Sequence, residues 1–160
     1  MKIFLDTAEV SEIVEAYQTG LIDGVTTNPT LILRSGRSLY DVAKEIATEC
    51  PNLESISTEV VAETADEMIR QAEEFIPIGP AKITIKVPCT VEGLKACLAL
   101  PIAGHKVNVT LVFSVAQAIL ASKAGAAYVS PFVGRLNDNS FSGIGLIQDI
   151  ARVYERQFTT

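Results

Sequence analysis

The sequence predicts an α/β protein of the parallel (β/α) TIM-barrel type, with about six of the eight strand–helix units of such a barrel present. Three observations support this fold class. Short β-rich runs alternate with longer helical patterns, the strands carry one apolar and one polar face, and 48% of the 160 residues are apolar, which is enough for one core. We therefore expect a single domain over residues 1–160 that forms an incomplete barrel.

Six strands are predicted from β-branched and alternating runs. In chain order they are Lys2 to Asp6, Gly24 to Thr27, Ser55 to Val61, Lys82 to Val87, Lys106 to Val112 and Ala127 to Ser130. The helical patterns that follow them cover Ala8 to Thr19, Ser38 to Cys50, Ala65 to Phe75, Thr90 to Leu100, Ser114 to Ala124 and Gly143 to Gln157. Strict alternation of this kind is typical of parallel strands joined by crossover helices, in a doubly wound sheet or a closed barrel.

The two faces of the central strands favour the barrel, because side chains alternate along a strand. The fourth strand has an apolar and a polar set, Ile83, Ile85 and Val87 against Lys82, Thr84 and Lys86. The fifth repeats this with Val107, Val109 and Leu111 against Lys106, Asn108 and Thr110. Central strands of a doubly wound sheet are apolar on both faces, so an inward polar face indicates a barrel. A mixed sheet with one solvated face would show the same alternation and stays open.

The composition argues against several classes of function. A net charge of −6 without a cluster of Lys and Arg disfavours a nucleic-acid or anionic-membrane surface. We expect neither a signal peptide nor a membrane span. Three cysteines without metal-ligand spacing, and His105 as the one histidine, argue against a metal site. The odd number of cysteines indicates reduced thiols, and we therefore expect a cytoplasmic location.

Polar residues stand at or near the carboxyl ends of the predicted strands. The carboxyl ends of parallel barrel strands meet at one face, where active sites are built. We therefore expect one pocket to be lined by Asp6, Asn28, Glu59, Lys86, Asn108 with Thr110, and Ser130. Its amine, carboxylates, amides and hydroxyls suit a polyhydroxylated carbonyl compound.

Lys86 is the candidate nucleophile of this pocket. An ammonium group placed among apolar strand neighbours loses hydration, which favours the neutral amine. A neutral amine attacks a carbonyl to form a carbinolamine and then an imine. A lysine that only pairs with Asp6 or Glu59 across the barrel would fit the same pattern, and this alternative stays open.

Five ordered segments resemble the transaldolase family, most closely its small subfamily, which also contains fructose-6-phosphate aldolases. They are Phe4 to Ala8, Val25 to Thr30, Ile85 to Pro88, Val109 to Ser114 and Ser130 to Arg135. The resemblance extends from Met1 to about Gln157. It implies an enzyme of the pentose phosphate pathway that acts on sugar phosphates. It also implies that no metal or organic cofactor is needed, because a protonated imine is itself an electron sink.

The resemblance implies a role for each matching position. Lys86 would form the Schiff base with the donor ketose, and Asp6 would move the proton on the hydroxyl next to the breaking bond. Glu59 and Thr110 would hold the water that relays protons. Asn28, Asn108 and Ser130 would hydrogen-bond the donor's hydroxyls. Arg135 would hold its phosphate.

Two positions favour a transferase over an aldolase. Glu59 and Phe132 resemble the transaldolase arrangement, whereas aldolase members tend to have glutamine and tyrosine there. A phenylalanine cannot protonate the carbanion, which then waits for an acceptor aldehyde. We therefore expect transfer of a dihydroxyacetone unit from fructose 6-phosphate to erythrose 4-phosphate, with fructose-6-phosphate aldolase as the alternative.

For four of these residues a purely structural interpretation stays open. Asp6 could be the acid at a helix N-terminus, and Asn28 could be a turn or cap residue. Thr110 could be an ordinary strand former. Arg135 could be a solvated cation in a loop from Gly134 to Asp138.

The number of units has consequences of its own. A barrel of eight units typically needs at least ~200 residues, so we expect the last two units to be absent from this chain. Open parallel edges invite pairing with another chain, which predicts a homo-oligomer. A third possibility is a family member that folds and assembles without turnover and serves as a binding or structural module.

Overall fold

The computed structural model describes residues 1–27, 29–30, 32, 36–79 and 81–157. Within them, six parallel strands alternate with α-helices around a curled half-barrel. The strands are β1 (Phe4–Asp6), β2 (Gly24–Thr26), β3 (Ser55–Glu59), β4 (Ile83–Pro88), β5 (Lys106–Val112) and β6 (Tyr128–Pro131). The predicted fold class, an incomplete (β/α) barrel, is confirmed.

Seven α-helices lie in the described part of the chain. They are α1 (Val10–Gln18), α2 (Leu39–Glu49), α3 (Ala65–Glu73), α4 (Val91–Ala99), α5 (Val115–Lys123), α6 (Val133–Asp138) and α7 (Gly143–Gln157). A short 3-10 helix, Ile76–Ile78, precedes β4. Among these helices, none is both long and apolar enough to cross a bilayer.

Side-chain caps explain where the helices on the central strands begin. Ser38, Thr64, Thr90 and Ser114 each accept a hydrogen bond from the backbone N–H three residues later. Each cap satisfies a donor that the first helical turn leaves free. The predicted helices for α2, α4 and α5 included their caps, so each begins one residue later than predicted.

The sheet runs in chain order from β1 to β6, with every neighbouring pair parallel. The register places Lys86 opposite Glu59 of β3 on one side and Asn108 of β5 on the other. Three polar residues of the predicted pocket therefore lie side by side at one level of the sheet.

The hydrophobic core lies between the sheet and its helices. The apolar residues of the three central strands are almost completely buried there: Ile56, Ile83, Ile85, Val87, Val107 and Val109. The opposite face of the same strands is also buried, although it is polar: Ser55, Ser57, Thr84, Lys86, Asn108 and Thr110. An enclosed polar face distinguishes a curled sheet from a flat sheet with one solvated face.

One prediction about β5 was wrong. Leu111 does not share the buried face of Val109: it is 38% exposed with a backbone φ of 59°, whereas Val112 is fully buried. The register shifts between Val109 and Val112, so that Thr110 and Leu111 together oppose Ser130 of β6. This is a β-bulge, in which one extra residue changes the side to which later side chains point.

The amino ends of the strands are joined by a cluster of five residues, which we call the amino-end cluster: Lys2, Phe4, Glu54, Lys106 and Tyr128. The rings of Phe4 and Tyr128, on the two outer strands, pack edge to face at 5.4 Å between centroids. The Tyr128 hydroxyl donates to Glu54 Oε1 at 2.9 Å, Lys2 pairs with the same carboxylate, and Lys106 Nζ donates to the Glu54 carbonyl at 3.1 Å. The cluster thus connects the two edges of the sheet.

The pKa values of this cluster reflect its contacts. Hydrogen bonds from Lys2 and Tyr128 lower the pKa of the Glu54 carboxyl. Burial, and then the hydrogen bond to Glu54, raises the pKa of Tyr128 to about 12. Gly24 makes room for the cluster, because a Cβ at this position would lie 2.4 Å from the Phe4 ring.

Candidate active site

A cavity of about 890 Å³ opens at the carboxyl ends of the strands. Six of the residues predicted to form the site line it: Asp6, Glu59, Lys86, Ser130, Phe132 and Arg135. Five different segments of the chain, from β1 to α6, supply these side chains. Of the strand-end polar residues predicted to converge, Asp6, Glu59, Lys86 and Ser130 line this cavity.

Lys86 lies in β4 beside the carboxylate of β3. Its side chain is 8% exposed, and Nζ stands 3.2 Å from Glu59 Oε2. Nζ also donates to the carbonyl oxygen of Thr27 at 3.4 Å. The ammonium group is thus held by one carboxylate and one carbonyl, and its pairing with Glu59 was one of the alternatives that the sequence left open.

The strand that carries Lys86 is supported from outside the sheet by α4. Thr90 caps this helix, and its Oγ1 accepts from Gly93 N at 3.0 Å. A Cβ at Gly93 would lie 1.9 Å from the carbonyl oxygen of Pro88, the last residue of β4. The helix therefore approaches the end of β4 as closely as a residue without a side chain allows.

Asp6 ends β1 and reaches the neighbouring strand. Its Oδ1 accepts a hydrogen bond of 2.7 Å from Thr26 Oγ1. Helix α1 begins at Val10 with Glu9 at the cap position, so Asp6 lies outside the first turn. This position disfavours the interpretation of Asp6 as the acid of a helix N-terminus.

Asn108 and Ser130 form a pair at the other side of Lys86. Ser130 Oγ donates to Asn108 Oδ1 at 2.8 Å, and Asn108 Nδ2 donates to Ser57 Oγ at 3.4 Å. Asn108 is buried, while Ser130 is half-buried and lines the cavity. Of this pair, Ser130 is the member that lines the cavity.

Thr110 lies two residues beyond Asn108 on β5, opposite Pro88. It is 1% exposed, and within the described residues its Oγ1 has no hydrogen-bond partner. A buried hydroxyl without a partner is costly. Thr110 therefore has free hydrogen-bonding capacity near the end of the strand next to Lys86.

Arg135 and Phe132 come from the segment after β6. Arg135 is exposed on the cavity wall, within α6, so the predicted loop from Gly134 to Asp138 is a short helix instead. The residue types of this segment are typical of turns and did not indicate a helix. In the structure, the backbone N–H of Leu136 donates to the carbonyl oxygen of Phe132. The Phe132 ring packs edge to face against Phe113 at 5.5 Å.

The sequence missed Thr26, which lines the cavity and holds Asp6. Strand parity could have found it, because Thr26 lies directly opposite Asp6 in the register. Asn28, predicted for the site, lies outside the described residues. In the described part of the chain, no group of three or more His, Cys, Asp or Glu side chains could hold a metal ion.

Solved structures share the fold at low sequence identity. The crystal structure of 2,3-dimethylmalate lyase, a PEP mutase/isocitrate lyase superfamily member, matches with a TM-score of 0.62 at 14% identity in its trigonal form. The triclinic form matches with a TM-score of 0.57 at 16% identity. The match covers 82% of this chain and 56% of the lyase chain in the trigonal form. This likeness concerns the fold alone.

Curated relatives are much more similar. A probable transaldolase of Paracoccus denitrificans is 54% identical over 156 residues, which are 97% of this chain and 70% of the relative. A probable transaldolase of Geobacter sulfurreducens is 56% identical over 155 residues, with 97% and 71% covered. Probable transaldolase 2 of Bacillus anthracis is 50% identical over 159 residues, with 97% and 72% covered.

A family model described as transaldolase/fructose-6-phosphate aldolase matches residues 3–160. The match includes the five segments on which the resemblance was based. The chain belongs to the transaldolase/fructose-6-phosphate aldolase family.

Proposed function

We propose that this chain transfers a dihydroxyacetone unit from fructose 6-phosphate to erythrose 4-phosphate through a Schiff base on Lys86. The observation that carries the proposal is the position of Lys86 Nζ, which is buried beside the cavity, 3.2 Å from Glu59 Oε2. Asp6 lines the same cavity. An amine with two carboxylates around one open volume has the groups that imine chemistry needs.

The first stage would be imine formation. The Lys86 ammonium gives a proton to Glu59, and the neutral amine attacks the C2 carbonyl of the ketose. The carbinolamine then loses its hydroxyl as water, with a proton returned by Glu59, and a protonated imine remains. The free hydroxyl of Thr110 would hold the water that relays these protons.

The second stage would break the bond between C3 and C4 of the donor. Asp6 accepts the proton of the C4 hydroxyl, the C4 oxygen becomes an aldehyde, and the electron pair of the bond moves toward the imine nitrogen. The resulting enamine attacks the acceptor aldehyde, whose oxygen takes the proton from Asp6. Because the imine nitrogen accepts the electrons, these steps require no metal or organic cofactor.

The remaining residues would bind the donor. Asn108 and Ser130 are joined by a hydrogen bond and would contact its hydroxyls. Arg135, exposed on the cavity wall, would hold the phosphate, for which a guanidinium offers a bidentate contact. Asn28 is proposed, by resemblance alone, to contact the donor's hydroxyls.

Phe132 favours transfer over simple aldol cleavage. Its ring lines the cavity and carries no hydroxyl that could protonate the enamine carbon. A fructose-6-phosphate aldolase would release free dihydroxyacetone without an acceptor. An assay for dihydroxyacetone with fructose 6-phosphate as the one substrate separates the two activities.

We also propose that the chain is a homo-oligomer in the cytoplasm. Strands β1 and β6 form the two edges of the sheet, and half-exposed residues occupy β6. Phe141 and Ile144, which follow β6 in the chain, are 67% and 60% exposed. All three cysteines are free thiols, as expected in a reducing compartment. Light scattering after size-exclusion chromatography measures the oligomeric state. A monomer at micromolar concentration would contradict the proposed homo-oligomer.

Borohydride trapping tests the central proposal. The protein is incubated with fructose 6-phosphate, reduced with borohydride and analysed by peptide mass mapping. A stable adduct on Lys86 is expected even where turnover is slow. The assay would therefore detect imine formation even if this chain does not complete the transfer reaction. Lys86→Met serves as the control without an amine; equal labelling of this variant would reject the proposal.

A further inference from the structure

The β-bulge in β5 decides which residue meets Phe132. In a regular strand, alternation would place Val112 on the polar side of Thr110 and would direct Phe113 under the helices with Val109. The extra residue at Leu111 reverses this order, since Val112 is fully buried and Phe113 is 41% exposed. Because of the bulge, the Phe113 side chain lies at the carboxyl end of the sheet, where the cavity opens.

Phe113 is fixed where the bulge places it. Its backbone N–H donates to Gln117 Oε1 at 2.8 Å, and its ring meets the Phe132 ring at an angle of 61°. The adjacent Val112 carbonyl accepts from the Phe132 N–H at 3.0 Å. Backbone and side-chain contacts thus couple the end of β5 to Phe132, which lines the cavity.

The conformation of Leu111 is costly and points to a local requirement. A backbone φ of 59° is disfavoured for residues with a Cβ, because the Cβ comes too close to the following carbonyl oxygen. Glycine or asparagine would adopt it more easily. The surrounding strand nevertheless holds a leucine in this conformation, and the geometry that results is the contact between Phe113 and Phe132.

We propose that Phe113 is a positioning residue that holds the Phe132 ring in the cavity wall, and that the left-handed backbone of Leu111 places Phe113 there. This proposal rests on the proposed function. A fixed Phe132 ring restricts the approach of water to the enamine carbon. The acceptor aldehyde, rather than a proton from water, then reacts with the enamine.

The two fates of the enamine differ in their products. With the acceptor, a carbon–carbon bond forms, the aldehyde oxygen is protonated, and imine hydrolysis releases a longer ketose. With a proton from water, a carbon–hydrogen bond forms instead, and the hydroxide left behind takes the proton that Asp6 received from the C4 hydroxyl. Hydrolysis of that imine by a second water releases free dihydroxyacetone and the Lys86 amine. The ratio of dihydroxyacetone to transfer product therefore reports how well the ring excludes water.

The test compares this ratio in four variants. Phe113→Ala removes the ring contact, and Leu111→Val places a β-branched residue where φ is positive. We expect both to raise the ratio by about three- to tenfold, the effect of losing one aromatic edge contact. Phe113→Tyr keeps the ring, and Leu111→Asn tolerates the left-handed backbone, so both should keep the wild-type ratio. A Phe113→Ala ratio equal to that of the wild type would overturn the proposal.

A second measurement separates this proposal from the proposed function. The chain contains no tryptophan, so Phe132→Trp introduces a single fluorescent reporter. We expect acrylamide to quench this reporter about twofold more strongly when Phe113→Ala is added, because the ring loses its neighbour. Failure of wild-type trapping would reject the Schiff-base function, whereas the reporter would still decide whether Phe113 holds position 132. Normal trapping with unchanged quenching would reject the positioning role alone.

Discussion

The two ends of the curled sheet each place a lysine beside a glutamate, but the two ion pairs differ in their burial. At the amino end, Lys2 and Tyr128 both bond to the Glu54 carboxylate, and the Phe4 ring packs against Tyr128. The Lys2 and Glu54 side chains are 53% and 37% exposed, so this ion pair is in contact with solvent.

At the carboxyl end, Lys86 and Glu59 stand 3.2 Å apart beside about 890 Å³ of open cavity. Asp6 lies on the wall, and the buried Thr110 hydroxyl has no partner among the described residues. The difference between the ends lies in burial, in the neighbouring cavity and in unused hydrogen-bonding capacity rather than in residue type. A mostly buried ion pair beside a cavity is thus stronger evidence of a site than an ion pair exposed to solvent.

The largest expected effect comes from removing the Lys86 amine at the carboxyl end. Lys86→Met should lower the transfer rate by about 10⁴-fold or more, because the covalent route is lost. Steady-state assays with fructose 6-phosphate and erythrose 4-phosphate measure this change. Circular dichroism should show an intact fold, and substantial residual transfer would place the nucleophile elsewhere.

Asp6→Asn should separate imine formation from bond cleavage. We expect the borohydride adduct on Lys86 to persist while cleavage slows by about 10²- to 10⁴-fold, the usual contribution of a general base. Trapping and single-turnover cleavage are measured on the same sample. Loss of the adduct in a folded variant would contradict the role assigned to Asp6.

A change at the amino end should affect stability instead of chemistry. Tyr128→Phe keeps the ring contact with Phe4 and removes the hydrogen bond to Glu54. The free energy of unfolding should fall by about 1 kcal/mol, as for a typical hydrogen bond. Urea denaturation measures it. A loss of trapping with unchanged stability would show that the two ends are not independent.

The smallest expected effect is a pH dependence at the amino end. The pKa of Glu54 is lowered from 4.5 in the folded chain, so its contribution to stability is present above pH 4.5. This contribution is lost as the pH falls below 4.5 through the lower folded value. The difference in urea midpoint between wild type and Glu54→Gln should therefore shrink on acidification. A difference that stays constant would mean that the carboxylate charge contributes nothing.

Much of the fold follows from local patterns in the sequence. The bounds of β5 and α7 agree with the prediction, because alternation and a long helical period are properties of single segments. The bulge at Leu111 was missed, since the sequence offers no glycine or asparagine to signal a positive φ. The contact between Phe4 and Tyr128 joins strands at opposite edges of the sheet. A contact between residues so far apart in the chain produces no pattern in either segment, so it could not be predicted.

The candidate site was predictable to the extent that it follows strand parity. Asp6, Glu59 and Lys86 stand near strand ends, and they reach one cavity because parallel strands end together. Arg135 reaches the same cavity from a helix that residue types did not reveal. Position alone does not decide reactivity, so Lys86→Met and Asp6→Asn test the expected chemical roles of these two residues.

The close approach of α4 to β4 links the outside of the half-barrel to Lys86. A single added carbon at Gly93 would press on the Pro88 carbonyl, two residues along the strand from Lys86. Gly93 is not among the residues that line the cavity, and yet a substitution there would shift the Lys86 side chain. Directed evolution of the cavity would consequently have to leave this helix contact untouched, or use it as a remote means of moving the lysine.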